Sequence, residues 1–376
     1  MKFYLAGFII LIAFLTASTG WAESSRSGRA TISMTTLYVD EQSLVYNNEG
    51  IVPKEGLNFY LRGEFSGKIA PFELLLEPLV SENHNTIHKG YLRLATPYFN
   101  FDIGKESLWW GQGVHGGLFL THNAEPLPML RLFNHDLRHF QFDIFFSQLE
   151  EAQFIPKPYF QGTRIVFKPH SILQVGMTRT IIMGGEGRPG INPSRFISIW
   201  FGENREPEDE LSNSIAGLDF RITFPSAQFY GEVGGEDEAG GYPSKDAFLL
   251  GIYLPKNDFR IEYADISNPA WYVHGTYQSG YTYKGRILGH HVGGGGRDIF
   301  LEKGVIKTDR VQGKIALDYE ERGITTQPVT ERHYQAGTSW KFIAGKMMFP
   351  WTADIDFAYD LVRNNTLFKF SLVGQI

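Results

Sequence analysis

Apolar and polar residues alternate with a period of two along most of this chain, and that pattern restricts the fold more than any other feature. In residues 57–65 one face carries Leu57, Phe59, Leu61 and Phe65, and the other Asn58, Tyr60, Arg62 and Glu64. The alternation returns at 140–147, 218–224, 259–263, 314–319, 353–357 and 367–372. Successive side chains of a strand point to opposite faces, so each segment reads as a two-faced strand and the chain as all-β.

Two architectures suit such strands. A soluble sandwich or barrel turns its polar face to water, whereas an outer-membrane barrel turns its apolar face to lipid and lines its lumen with charge. Turn lengths separate the two. Short turns at 168–171, 225–226 and 255–258 alternate with long loops at 183–210, 234–246 and 268–303. Short turns on one side and long loops on the other are the habit of outer-membrane barrels. The N-terminus agrees: Lys2, an apolar run from Leu5 to Leu15 and Gly20-Trp21-Ala22 have the layout of a secretory signal peptide cleaved after Ala22. That run is shorter than the roughly 20 residues a membrane helix needs. With no cysteine, an exported protein of this sequence uses neither disulfides nor thiolates. Its net charge of −6 argues against nucleic acid as a partner.

The expectation is therefore a signal peptide over 1–22 and a single transmembrane antiparallel β-barrel domain over 23–376. Strands start near Ala30, Leu57, Pro71, Lys89, Asn100, Leu137, Tyr159 and Ile172, then near Asn213, Ala227, Ala247, Asp258, Thr308, His333, Trp351 and Leu367. That is about 16 strands, within a range of about 14–18. With the short turns periplasmic, this count leaves the last strand ending outside. A strand is therefore miscounted, within 101–132 or 272–306.

The stretch 101–132 starts as a strand and becomes too irregular to remain one. Trp109 and Trp110 precede Gly111, Gly113, Gly116 and Gly117, and an Asn-Ala-Glu-Pro-Leu-Pro turn follows. It reads as a structured loop that folds inward or faces a ligand. Residues 111–116 match the spacing G-x-G-x-x-G, but no helical pattern follows, so the dinucleotide fingerprint lacks its context. Gly293 to Gly296 end in no Lys-Ser or Lys-Thr and make no phosphate loop. His274, His290 and His291 suggest a metal. On a strand, however, His290 and His291 would face opposite ways, and no zinc motif is present, so ordinary loop histidines and no metal are expected. The acidic run 203–210 suits either a solvated outer loop or divalent cations between lipopolysaccharide headgroups. Inward charges at Arg62, Glu64, Asp219, Arg221, Arg260, Glu262, Lys314, Asp318, Asp354 and Asp356 mix both signs. Such a mixture fits internal pairing better than a selective channel. The aromatic loop 271–286 reads equally as sugar-stacking rings or as an aromatic girdle.

Several motifs together, GKESLWWGQG (104–113), THNAEPLPMLRL (121–132), GGEGRP (184–189), GEDEAGGYPSK (235–245) and YVHGTYQSGYTYKGRILGH (272–290), resemble the Wzi family of capsule-assembly outer-membrane proteins. The resemblance implies an outer-membrane lectin that is not an enzyme and that holds capsular polysaccharide or exopolysaccharide on the surface of a Gram-negative cell. It also implies a lumen closed by inward loops. The chain is shorter than expected of enterobacterial members, which implies a periplasmic helical portion that is reduced or absent. It also ends without a terminal aromatic residue. Under this reading Trp109, Trp110, Tyr272, Tyr277, Tyr281 and Tyr283 stack on sugars, while Asn123, Glu125, Glu186, Arg188, His274 and Arg286 hydrogen-bond hydroxyl or uronate groups. The partners expected are the polysaccharide, outer-membrane lipid and lipopolysaccharide, and the barrel assembly machinery in transit, with the chain a monomer lacking any cofactor. The competing functions are a channel for oligosaccharides or small solutes and a membrane-embedded hydrolase.

Overall fold

The computed structural model describes residues 26–40, 45–82, 85–134, 137–201, 205–206, 209–239, 242–324, 330–344 and 351–375. The expected signal peptide and all side chains of the acidic run 203–210 lie outside the described residues. The first six strands are β1 Arg26–Val39, β2 Gly56–Ile69, β3 Phe72–Ser81, β4 Asn85–Ala95, β5 Asn100–Glu106 and β6 Leu127–Phe133. Next come β7 Phe140–Gln148, β8 Tyr159–His170, β9 Leu173–Met183, β10 Ser212–Thr223, β11 Gln228–Ala239 and β12 Tyr242–Leu254. The last six are β13 Phe259–Ile266, β14 Gly296–Lys307, β15 Val311–Arg322, β16 Glu331–Ala344, β17 Trp351–Asp360 and β18 Asn365–Gln375. They form one 18-stranded sheet. Each strand pairs antiparallel with the next, and β1 closes the barrel against β18 from Thr31↔Gln375 to Val39↔Leu367. Closure leaves no edge strand, as spanning a bilayer requires.

The faces fall as an outer-membrane barrel demands. On β10, Leu218 and Phe220 point outward at 49% and 37% exposure, while Asp219 between them is buried. On β2, Leu57, Phe59 and Leu61 are exposed and Asn58 is buried. Exposed apolar rings with charges inside invert the soluble arrangement, and lipid is the solvent that stabilises it. No described helix is long and apolar enough to cross a membrane.

The count of 18 differs from the expected 16 by β6 and β14: the pattern implies one miscounted strand in 101–132 or 272–306, and the structure has a missed strand at each. In β6, Leu127, Met129 and Phe133 are buried while Leu130 and Leu132 are exposed. Its inner face meets protein instead of water, so Arg131 is the one polar residue left in that half of the alternation. Pro128 hides the signal further. In β14 the register shifts between Gly304 and Ile306. With both strands restored, the start of β1 and the end of β18 lie on the side of the short turns. One further loop disappears: β11 and β12 keep pairing to Ala239↔Tyr242, so 234–246 is mostly hairpin. The β9–β10 connection carries a short helix, α1 (Pro193–Trp200), with Asn192 as N-cap accepting from the Arg195 amide at 2.8 Å.

Candidate functional site

Two long loops, 107–126 after β5 and 267–295 after β13, fold into the lumen and close it. The glycine-rich part of the first loop is held by two carboxylates on the wall. Glu232 of β11 accepts from the amides of Gln112 (2.6 Å), Gly113 (2.7 Å) and Leu118 (2.8 Å). Glu262 of β13 accepts from the amides of Val114 (2.9 Å), His115 (3.0 Å) and Gly116 (3.1 Å), and from the Tyr230 hydroxyl at 2.8 Å. Successive amides turned to one side make an anion nest. The segment that mimics a nucleotide fingerprint does cradle anions, and they are the protein's own. Gly111 requires glycine, since its φ is +131° and a Cβ there would run into the Glu232 carboxylate.

The tryptophans form the roof of a lumen cavity. Trp110 is 3% exposed and donates from Nε1 to Asp143 Oδ2 at 3.1 Å. The same carboxylate receives Arg131 through two bonds of 2.8 and 2.7 Å, and Arg131 also reaches Glu106 at 2.7 Å. Trp109 is half-buried and donates to the Gly113 carbonyl at 2.9 Å. Beneath them is a cavity of about 440 Å³ lined also by Tyr91, Arg93, Asn134, Gln141 and Arg164. It opens toward the short turns, because Asn134 and Gln141 flank the β6–β7 turn. Its arginines are already paired: Arg93 with Asp102 at 2.8 Å, and Arg164 with Asp219 at 2.6 and 2.9 Å.

The second loop forms the core of the plug. Trp271, Tyr272, Tyr277, Tyr281 and Tyr283 are 0–5% exposed. Tyr272 donates to the Leu118 carbonyl at 2.6 Å, accepts from the His290 amide at 3.0 Å and stacks on Tyr281 at 5.4 Å. Tyr277 donates toward the carbonyls of Gly184 and Leu211 at 3.2 and 3.1 Å. The His274 Nδ1 accepts from the amides of Thr276 and Tyr277. Asn123 is buried, and its side chain donates to the Ile287 carbonyl at 3.0 Å. Thus of the residues expected to meet sugar, Trp110, Asn123, Tyr272, His274, Tyr277, Tyr281 and Tyr283 have their polar tips or ring faces spent on internal packing. The rings of this loop face protein and not the lipid boundary that an aromatic girdle occupies.

Of the rest, Trp109 lines the lumen cavity and Glu125, Glu186, Arg188 and Arg286 reach the outer mouth. Glu125 Oε2 accepts from Lys284 at 2.8 Å and Lys105 at 3.3 Å. Burial raises its pKa, but those ammonium groups more than compensate and hold the carboxyl below the usual range. Arg286 is half-buried, with Nη1 3.5 Å from the Val45 carbonyl. Glu186 is exposed and pairs with Lys157 at 2.8 Å, and the Arg188 guanidinium lies 5.8 Å from the Tyr277 ring centre. Sequence reasoning missed Phe154, which is 60% exposed with its amide on Ser279 Oγ at 2.7 Å. Its segment, 149–158, has no motif, and an aromatic amid loop residues is the only signal that marks it.

Most of the inward charges are paired, as expected. Arg62 meets Glu49 and Glu77, Lys314 meets Glu302, and Asp356 meets Lys369. Glu64, Arg221, Arg260 and Glu262 make no ion pair among the described residues, although Arg260 donates to the Tyr230 hydroxyl at 2.9 Å and Glu262 is satisfied by plug amides. Groups of three His, Asp or Glu side chains close enough to share one ion occur at Glu49, Glu77 and His88, and around His115, His290 and His291. The objection that adjacent His290 and His291 must diverge does not apply, because they lie in the plug loop with rings stacked at 4.6 Å.

Fold and lumen together define a plugged, 18-stranded β-barrel of the outer-membrane type. The chain belongs to the Wzi capsule assembly protein family, whose model matches residues 27–357. The structure is similar to that of Wzi from Escherichia coli, described as an outer-membrane, carbohydrate-binding β-barrel involved in group 1 capsule assembly. There the TM-score is 0.72 at 20% identity, over 92% of this chain and 84% of that one. OprD of Pseudomonas aeruginosa shares the fold at a TM-score of 0.56 and 7% identity, over 93% of this chain and 95% of that one. An uncharacterized 55.8 kDa Klebsiella pneumoniae protein in the cps region is 31% identical over 180 residues, 42% of this chain. That match spans 35% of the relative's length. Family and fold place the chain in the outer membrane.

Proposed function

We infer that this chain is a non-enzymatic lectin that holds capsular polysaccharide or exopolysaccharide on the cell surface through the outer mouth of its barrel. The observation that carries the reading is Phe154, an exposed ring on the sealed mouth among polar and charged groups. Ser279 adjoins it, with the Lys157–Glu186 pair, Arg188 and the Glu125–Lys284 pair on the neighbouring loops. A flat apolar ring beside hydrogen-bonding groups suits a sugar, whose CH face and hydroxyls need both. Arg188, Arg286 and Lys284 suit uronates, Arg because its fork matches a carboxylate. Family membership and the carbohydrate binding described for the Escherichia coli barrel support the same reading, and the inward loops argue against a channel.

The test is deletion of the gene, followed by weighing cell-bound against shed polymer, with complementation by Phe154→Ala and by Lys157→Ala with Arg188→Ala. Loss of bound polymer at unchanged total synthesis is expected. Unchanged retention in a strain that makes polymer, or open-pore conductance of the purified barrel in planar bilayers, overturns the reading.

A further inference from the structure

One cluster inside the barrel is only partly satisfied by hydrogen bonding: His115 Nε2 bonds Asp318 Oδ2 at 3.2 Å and the Tyr46 hydroxyl donates to the same oxygen at 3.4 Å, but other polar atoms have no partner. His115 of the first plug loop and His291 of the second meet Asp298 of β14 and Asp318 and Glu320 of β15. All five are buried: 8% and 8% for the histidines, and 2%, 6% and 0% for the acids. His115 Nε2 lies 3.2 Å from Asp318 Oδ2 and 3.4 Å from Asp298 Oδ2. His291 Nε2 lies 3.3 Å from Asp298 Oδ2 and 2.9 Å from Glu320 Oε1. Yet both oxygens of Asp298, one each of Asp318 and Glu320, and both ring nitrogens of His291 have no hydrogen-bond partner. Buried polar atoms in native proteins are almost always satisfied, so several orphans facing one another call for a missing partner.

The comparison within the same molecule is direct. The Glu49, Glu77 and His88 group is threaded by Arg62 and Lys89, which together reach both acids at 2.7–3.4 Å. In the His115–His291 cluster Arg322 touches only the far oxygen of Glu320, at 2.7 Å. Asp298 and Asp318 pair with no Lys or Arg among the described residues.

We propose that this cluster is a site for a divalent first-row transition-metal ion, such as Zn²⁺ or Mn²⁺, ligated by donors drawn from His115, His291, Asp298, Asp318 and Glu320, which fall into overlapping groups of three. Bonds of about 2.1 Å from such an ion to N and O donors put neighbouring donors about 3.0 Å apart in an octahedron and about 3.4 Å apart in a tetrahedron. The four separations above, 2.9–3.4 Å, span that interval. Imidazole together with carboxylate selects a transition ion over Ca²⁺ or Mg²⁺, which take oxygen donors. The rings are already oriented, Phe300 stacking on His115 at 3.8 Å and Tyr46 on His291 at 4.0 Å. A second lumen cavity, of about 170 Å³ and lined by Tyr46, Phe300 and Asp318, provides a path in. The ion ties both plug loops to β14 and β15, so its function is to lock the plug.

The test uses the whole barrel, purified in detergent without chelator, exposed to Zn²⁺ or Mn²⁺ and then desalted for elemental analysis. The expected result is close to one ion per chain, falling about tenfold or more in Asp298→Asn and in His291→Gln. Stripping the wild type with EDTA is expected to speed proteolysis of the plug loops, and re-adding the metal to reverse this. Should the variants fail to fold, X-ray absorption on the zinc-loaded wild type decides: a first shell containing imidazole nitrogen supports the site, and one without it overturns it. Wild type that retains neither metal, or variants that retain the full complement, also overturn it.

Discussion

Replacing Glu232 with alanine strips three buried plug amides of their acceptor. Each of the bonds, 2.6–2.8 Å long, is charge-assisted and the carboxylate is 2% exposed. At about 1.5–3 kcal/mol for each bond to a charged group, the loss is about 4–9 kcal/mol, less whatever water recovers on entering the space. The barrel ladder does not pass through these amides, so the cost falls on plug docking while the wall stays closed. The readout is hydrogen exchange of the barrel in detergent. At 1.4 kcal/mol per factor of ten, the amides of Gln112, Gly113 and Leu118 are expected to exchange faster by about three orders of magnitude or more, with β1–β18 unchanged. Glu232→Gln is expected to cost less, about 1–3 kcal/mol, because one oxygen remains to accept while its NH₂ confronts a donor. Plug amides that stay as protected in Glu232→Ala as in the wild type would refute the claim that the wall carboxylates hold the loop.

Other outcomes follow from the same geometry. Gly116→Ala places a methyl group inside the His290 imidazole; limited proteolysis is expected to cut the plug several-fold faster, with the barrel intact on gels. Trp110→Ala empties a site packed against Phe145 at 5.2 Å and removes one hydrogen bond from Asp143, which keeps its two from Arg131, so a loss of about 3–5 kcal/mol in urea unfolding is expected. Trp109→Ala, at a half-buried ring, is expected to lose far less in the same titration. Burial acts to raise the Glu49 pKa, but His88, Lys89 and Arg62 prevail and hold it far below the usual range. Its contribution is therefore complete above about pH 4.3 and fades as pH falls toward the folded value. The stability gap between wild type and Glu49→Gln, measured by denaturation at stepped pH, is expected to shrink on acidification; a gap that widens would refute the assignment.

The sequence by itself determined the class of structure. Lipid rewards a strict apolar face, and each strand records that face locally as a period of two, so Leu218-Asp219-Phe220 declares its orientation without knowledge of any neighbour. Turn lengths supplied the sidedness, and the quoted motifs the family. The wall hid itself only at β6 and β14, where the inner side meets the plug or the register slips, and solvent no longer writes the pattern. The site was less legible, because ring exposure and hydrogen-bond partners arise between residues far apart in the chain. Tyr272 and Tyr281 look like sugar platforms until the fold packs them against each other. The glycine run resembles a nucleotide loop until Glu232 and Glu262, more than a hundred residues away, fill it. His115, His291 and Asp298 come from two loops and a strand, and only barrel closure sets their donors within 3.4 Å.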